Sequence, residues 1–429
     1  MPTHSSTLDA LREFIDRIPL TDTHEHIRSE KDWLKKDTYL GHLFQHYASC
    51  DLVTSGMPPE DLASLHDTQL SPEEQWEKFE PYWLKAGNTS YCKAIDIAVR
   101  DLFDLPGLNR DTYQDLLRKM EESRKPGWYR KVLKDKANIE VCVLNTGEID
   151  ADRTLFAPVG GFDNFVSATT RQGATALGAN VDVNVYSMDD FLTALDKAFE
   201  KAVNAGIVGV KSGLAYSRAI FYDNTTRHEA EILFNRMLRY RGNGVSWEDA
   251  KPFQDFMMHQ VIQRAAEYGL PMQFHTGIQE GNGNFLADTN PVLLNNLFFT
   301  YRNVKFDVFH AGFPYSRELG VLAKNFANVY PDMCWMHIIG AKSAREILDE
   351  WLDLVPANKI LGFGGDYIFV EGVYGHAKIA RDNVARVLAD RVERGDQTMD
   401  EAKEIAERIL RLNGRELFKL DEKGLPAKD

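Results

Sequence analysis

Eight short apolar runs, most of them separated by stretches of helical period, constrain this 429-residue chain more than any other feature. They fall at residues 18–26, 139–144, 154–159, 207–211, 271–275, 304–310, 329–335 and 359–366. Segments 189–205, 253–268, 292–301, 317–325 and 344–354 read as helices between the later runs, and the stretch up to Phe418 is largely helical too. Strands joined through helical crossovers pair in parallel. Eight of them are what a (β/α)8 TIM barrel, an α/β fold, requires. An open doubly wound sheet is the alternative, but no Gly-x-Gly-x-x-Gly loop follows an early run.

The alternation is interrupted once, over residues 27–137. This stretch carries Trp33, Trp76, Trp83 and Trp128, breakers at Pro58-Pro59 and Pro126-Gly127, and little strand character. Ser71-Pro-Glu-Glu is a helix start with proline just inside the cap, and residues 72–80 and 92–103 read as amphipathic helices. No linker-like composition bounds the stretch. The expectation is a single domain over residues 1–429, with 27–137 as a helical insertion after the first strand.

Charge and cysteine usage narrow the function. A net charge of −14 argues against nucleic acid or an anionic membrane surface as partner, while leaving room for a local basic pocket. Cys50, Cys92, Cys142 and Cys334 form no C-x-x-C pair, so neither a disulfide framework nor a thiolate zinc site is expected. Leu8, Leu11, Phe14, Ile15 and Ile18 mark one face of a short helix rather than a signal core, and no run reaches membrane-spanning length. A cytoplasmic protein is the plain expectation.

The chemistry sits at the ends of the runs. His24 and His26 close the first; on a strand, alternate side chains share a face, so the two imidazoles project together. Later runs end in Lys211, His275, His310 and Asp366. In a barrel all strand ends meet at one mouth, which would gather nitrogen and oxygen donors suited to zinc, or to manganese, iron or nickel. Each residue has a plainer reading. His24 and His26 could be a solvated pair, and His275 and His310 core histidines bonded to backbone. Asp366, after two glycines, could be a turn residue, and Lys211, Tyr216 and Arg218 could be surface groups. Their joint placement favours the metal site.

The motifs Thr21-Asp-Thr-His-Glu-His26, Gln273-Phe-His-Thr276, Phe309-His-Ala-Gly312 and Gly364-Gly-Asp-Tyr367 resemble those of the amidohydrolase superfamily. The resemblance is closest to its branch of TIM-barrel metal-dependent hydrolases that includes decarboxylases and uronate isomerases, and the long insertion looks like that of the uronate isomerases. It implies His24, His26, His275 and Asp366 as metal ligands, with Asp366 also taking a proton from the metal's water. It implies that His310 either holds a second metal or polarises a substrate carbonyl. Lys211 is either carboxylated between two metals or, with Tyr216 and Arg218, binds an anionic substrate; one metal is favoured and a second left open. The function expected is a homo-oligomeric metal-dependent hydrolase, in which metal-activated water attacks an amide, ester or lactone of a small anionic molecule. Decarboxylation, sugar-acid isomerisation and a metal-free scaffold are the alternatives.

Overall fold

A computed structural model describes residues 4–147, 151–239 and 244–421. The first strand, Leu20–Glu25, runs parallel to the second, Ile139–Leu144, which pairs with the third, Phe156–Pro158. The chain of the third strand then joins a second sheet, where Gly160–Gly161 pairs with the fourth strand, Val210–Ser212. Met272–Phe274, Phe306–Val308 and Val329–Pro331 follow as strands five to seven, all parallel. The eighth is a single bridge from Leu361 to Asp332. It nonetheless closes the ring: Leu361 N–H donates to the Pro331 carbonyl at 3.0 Å, and Thr23 N–H to that of Phe363 at 3.1 Å. This is an eight-stranded α/β barrel.

Two glycines let the eighth segment press against the first strand. A Cβ on Gly364 would stand 2.5 Å from the Thr23 hydroxyl, and one on Gly365 1.8 Å from the Glu25 carboxylate. Any side chain here would push the closing segment off the barrel.

The seventh run stops earlier than its hydrophobicity suggests. The Asp332 carboxylate accepts from Cys334 N–H at 2.8 Å, Trp335 adopts a left-handed φ of 63°, and Met336–Ile339 turns into a helix. Burial is complete on both sides of that turn, so apolar content alone could not locate it. Elsewhere the boundaries shift by a few residues: 189–205 is the helix Met188–Asn204 and 253–268 is Lys251–Glu267. Segment 292–301 divides into a tight turn, Pro291–Leu294, and a helix, Asn295–Thr300. Helices Arg171–Ala179 and Arg227–Arg239 were not anticipated.

Among the described residues, 27–137 contains helices and no strand. Ser71 and Glu74 form a reciprocal capping box at the start of Pro72–Ala86. That helix continues through Pro81 because Trp76, Phe79 and Trp83 bury one face, with Trp76 stacked on Tyr113 at 4.7 Å. The helix Val370–Arg394 packs against Ser90–Phe103 so closely that a Cβ on Gly375 would meet the Ala94 carbonyl oxygen at 2.0 Å. Arg381, on the same helix, donates to the carbonyls of Ile18 at 2.9 Å and Ala137 at 3.1 Å, where the first and second strands begin. No helix among the described residues is long and apolar enough to cross a membrane.

Candidate metal centre

Four strand ends supply the donors. The Nε2 atoms of His24 and His26 lie 3.1 Å apart, and Asp366 Oδ1 stands 3.8 Å from the first and 3.3 Å from the second. Nitrogens bound about 2.0–2.1 Å from a tetrahedral zinc would be roughly 3.3 Å from one another. The three separations bracket that spacing, so these residues fit one ion with little movement.

Across Asp366 the outer ring nitrogens settle the tautomers. His310 Nδ1 donates to the Cys334 carbonyl at 3.1 Å, and His275 Nε2 to the Ile278 carbonyl at 3.1 Å. The inner atoms, His310 Nε2 and His275 Nδ1, therefore both carry lone pairs, and they face each other at 3.0 Å. Two buried acceptors at that distance repel unless a cation joins them. Asp366 Oδ2 lies 3.8 Å from His310 Nε2. One carboxylate thus stands between two donor pairs. His26 shows the same device, its Nδ1 donating to the Asn145 carbonyl at 2.7 Å and leaving Nε2 free to coordinate.

Burial keeps these rings in the coordinating form. It pushes His310 down to about 4 against the pull of Asp366, and His24 and His275 well below the ordinary histidine value, with the nearby Lys211 ammonium acting in the same direction. Burial pushes the Asp366 carboxyl up, but His26, 3.3 Å away, and the imidazoles of His310 and His24 outweigh it and hold it well below the usual range. Neutral imidazoles around an ionised carboxylate are what a divalent cation requires.

The backbone is held to match. His310, Trp335 and Asp366 have left-handed φ values of 59°, 63° and 57°, strain that persists only where neighbours over-determine it. At Asp366 the neighbours are the His24 carbonyl, accepting its N–H at 2.8 Å, and the Tyr47 hydroxyl, donating to its carbonyl at 2.6 Å. Beneath them Asp22 accepts from the N–H groups of His24 at 3.1 Å and Gly365 at 3.0 Å, and Glu25 from Tyr367 N–H at 2.8 Å. Asp22 therefore steadies the backbone of a ligand rather than its ring. Burial raises its carboxyl to about 6.

Lys211 is buried beside the centre, its Nζ 4.6 Å over the Phe309 ring, with burial lowering its pKa. Tyr216 lies at the rim: its ring is 4.6 Å from His275 and its hydroxyl accepts from Glu280 N–H at 3.1 Å. Arg218 is differently engaged. Its guanidinium donates to Gln254 at 2.7 Å, to the carbonyls of Ala219 and Phe221 at 3.1 and 3.0 Å, and to Asp255 at 2.5 Å. These bonds tie the loop after strand four to the helix Lys251–Glu267.

Above the centre opens a cavity of about 650 Å³, whose lining includes His26, Arg28, Lys36, His46, Tyr216 and Glu280. His46 and Tyr47 come from the insertion and have no motif to mark them; a polar and an aromatic residue at a helix start read as ordinary amphipathic chain. Burial lowers His46 to about 4, and its Nδ1 is buried without a hydrogen bond. Cys334, buried after the seventh strand, places its sulfur within 4.8 Å of ligand atoms on His310 and Asp366.

The amidohydrolase family model matches residues 156–420. A curated relative, the FluG protein of Emericella nidulans, is 30% identical over 225 residues, which cover 50% of this chain and 26% of that protein. The chain thus spans about a quarter of the relative's length. Among solved structures, uronate isomerase from Thermotoga maritima superposes with a TM-score of 0.78 at 16% identity, over 96% of this chain and 97% of that one. Glucuronate isomerase from Caulobacter crescentus gives 0.78 at 18% identity, over 100% and 97%. At such identities the likeness is one of fold. With the family model spanning more than half its length and two donor pairs meeting at one carboxylate, the chain belongs to the amidohydrolase family of metal-dependent enzymes.

Proposed function

We propose that this enzyme hydrolyses an amide, ester or lactone of a small carboxylate-bearing substrate. The observation that carries the reading is the convergence of four imidazoles on the ionised Asp366, next to a buried lysine with no internal acceptor among the described residues. His24, His26 and Asp366 would hold one divalent ion, and His275 and His310 offer a second position sharing Asp366. Zinc, favoured by this donor set, supplies Lewis acidity and lowers the pKa of its water towards 7.

The chain's own groups then divide the work. Asp366 takes the proton from the attacking water and can return it to the leaving group. Lys211 Nζ donates no hydrogen bond within the described residues, so its protons are available to a carbonyl oxygen as negative charge develops there. Tyr216 borders the same space. Arg28, rather than the fully engaged Arg218, is placed to meet the substrate carboxylate, since it lines the cavity and has no partner among the described residues.

Sugar-acid isomerisation is the second reading, favoured by the fold shared with two uronate isomerases over nearly the whole chain. The test is to offer the metal-loaded protein amides, esters and lactones beside uronates and aromatic acids, with Asp366→Asn as control. Hydrolysis lost in the variant supports the proposal. Ketose formation or carbon dioxide release without any hydrolysis would overturn it, and full activity in Asp366→Asn would remove that residue from proton transfer.

A further inference from the structure

The walls of the mouth carry opposite charge on opposite sides. Arg28 and Lys36 follow the first strand, while Glu280 follows the fifth. In a ring of eight, strands one and five face each other across the barrel, with the metal-ligating residues on the floor between them. None of the three charges is spent internally. Arg28 and Lys36 donate no side-chain hydrogen bond and join no ion pair among the described residues, and the Glu280 carboxylate likewise has no cation. The other acid of the lining, Asp32, is already occupied by Lys35 at 2.6 Å and Ser29 at 2.8 Å.

Glu280 is also held in place. Its N–H donates to the Tyr216 hydroxyl, the preceding Gln279 donates to the Ala215 carbonyl, and Asn282 reaches the Cys50 carbonyl at 3.3 Å. A partly buried carboxylate without a cation among the described residues, on a backbone fixed by these bonds and close enough to Asp366 for the two charges to oppose each other, is a receptor for positive charge. On the other wall, Arg28 and Lys36 also border a smaller recess of about 150 Å³, where Trp33, Tyr129 and Ile368 stand beside His42 and Gln45. An apolar group next to the bound carboxylate would fit there.

We infer that the substrate is a zwitterion that spans the mouth, its carboxylate held by Arg28 and Lys36, its ammonium by Glu280, and the reacting carbonyl between them. Short aminoacyl compounds such as dipeptides, with an apolar side chain at the carboxylate end, have this layout. The assignment of the reacting carbonyl rests on the hydrolase reading; the two charge assignments do not.

The experiment uses metal-loaded protein and a panel of dipeptides and side-chain-linked aminoacyl amino acids, each with its N-acetyl and C-amide derivatives. Turnover is followed by amine release and binding by calorimetry. Either cap should lower kcat/KM, or affinity where nothing is cleaved, by about tenfold or more, as expected when a charge-assisted bond is lost. Glu280→Gln should abolish the penalty of the N-acetyl cap and keep that of the amide; Arg28→Ala with Lys36→Ala should do the reverse. Selective binding without cleavage upholds the charge assignments and refutes the hydrolase reading. Cleavage indifferent to both caps upholds the hydrolase and overturns the inference, as does failure of every member to bind.

Discussion

Loading the protein with a divalent ion should stabilise it in two steps, and His310→Gln should remove one of them. Both donor pairs stand within a few tenths of an ångström of ligand spacing, at 3.1 Å for His24 and His26 and 3.0 Å for His275 and His310, so binding needs little rearrangement. An ion present at a hundred times its dissociation constant adds about 2.7 kcal/mol per site. Unfolding entropy of about 2.1 cal/mol/K per residue, over 429 residues, comes to about 0.9 kcal/mol/K, so each ion should raise the melting temperature by about 3 °C. Glutamine can replace the bond that His310 makes to the Cys334 carbonyl but offers no ring lone pair. The variant should therefore bind one ion where the parent binds two, and keep about half the stabilisation. Elemental analysis with scanning calorimetry, before and after chelation, reads both numbers. Equal stoichiometry and equal shifts in the two proteins would refute the second position, and melting indifferent to chelator would refute the centre itself.

Three further outcomes follow from named contacts. Tyr47→Phe strips the hydroxyl from the Asp366 carbonyl, costs about 1–2 kcal/mol of unfolding free energy, and should lower kcat more than it changes KM; an unaltered kcat would show that the carboxylate keeps its place without help. Arg218→Ala leaves the buried Asp255 with Lys251 but without its buried guanidinium partner and should cost about 1–3 kcal/mol of stability in denaturant titration, with KM unchanged. A raised KM at unchanged stability would return Arg218 to the substrate. Stability should also fall with acid through His337, which burial pushes down to about 4. Unfolded chains bind a proton at this position near pH 6.5, whereas the folded one resists until about pH 4, so the contribution is complete above 6.5 and declines as pH falls. It amounts to about 3 kcal/mol when fully lost, and the difference between the parent and His337→Gln should follow that slope. A difference that stays constant from pH 7 to 4.5 would contradict it.

What could be read without coordinates was local. Barrel strands are buried on both faces, so they appear as continuous apolar runs whatever their neighbours, and polar residues at their ends are visible as departures from those runs. His24, His26, Lys211, His275, His310 and Asp366 all emerged this way. Arg218 misled because its chemistry suits a carboxylate in any setting, and whether that carboxylate is a substrate or Asp255 depends on a helix more than thirty residues away. His46 and Tyr47 were missed because nothing in a helical insertion marks the turn that touches the mouth.

The order of residues alone specifies the alternation of strands and helices and the groups at their ends, since both follow from near-neighbour periodicity and burial. Which nitrogen of each histidine points inward, which cations and acids stay unpaired among the described residues, and that Asp366 lies between two imidazole pairs emerge from the folded chain. Those facts depend on closing the ring, which brings the His24 carbonyl to the Asp366 N–H at 2.8 Å and makes every partner of the centre a contact through space.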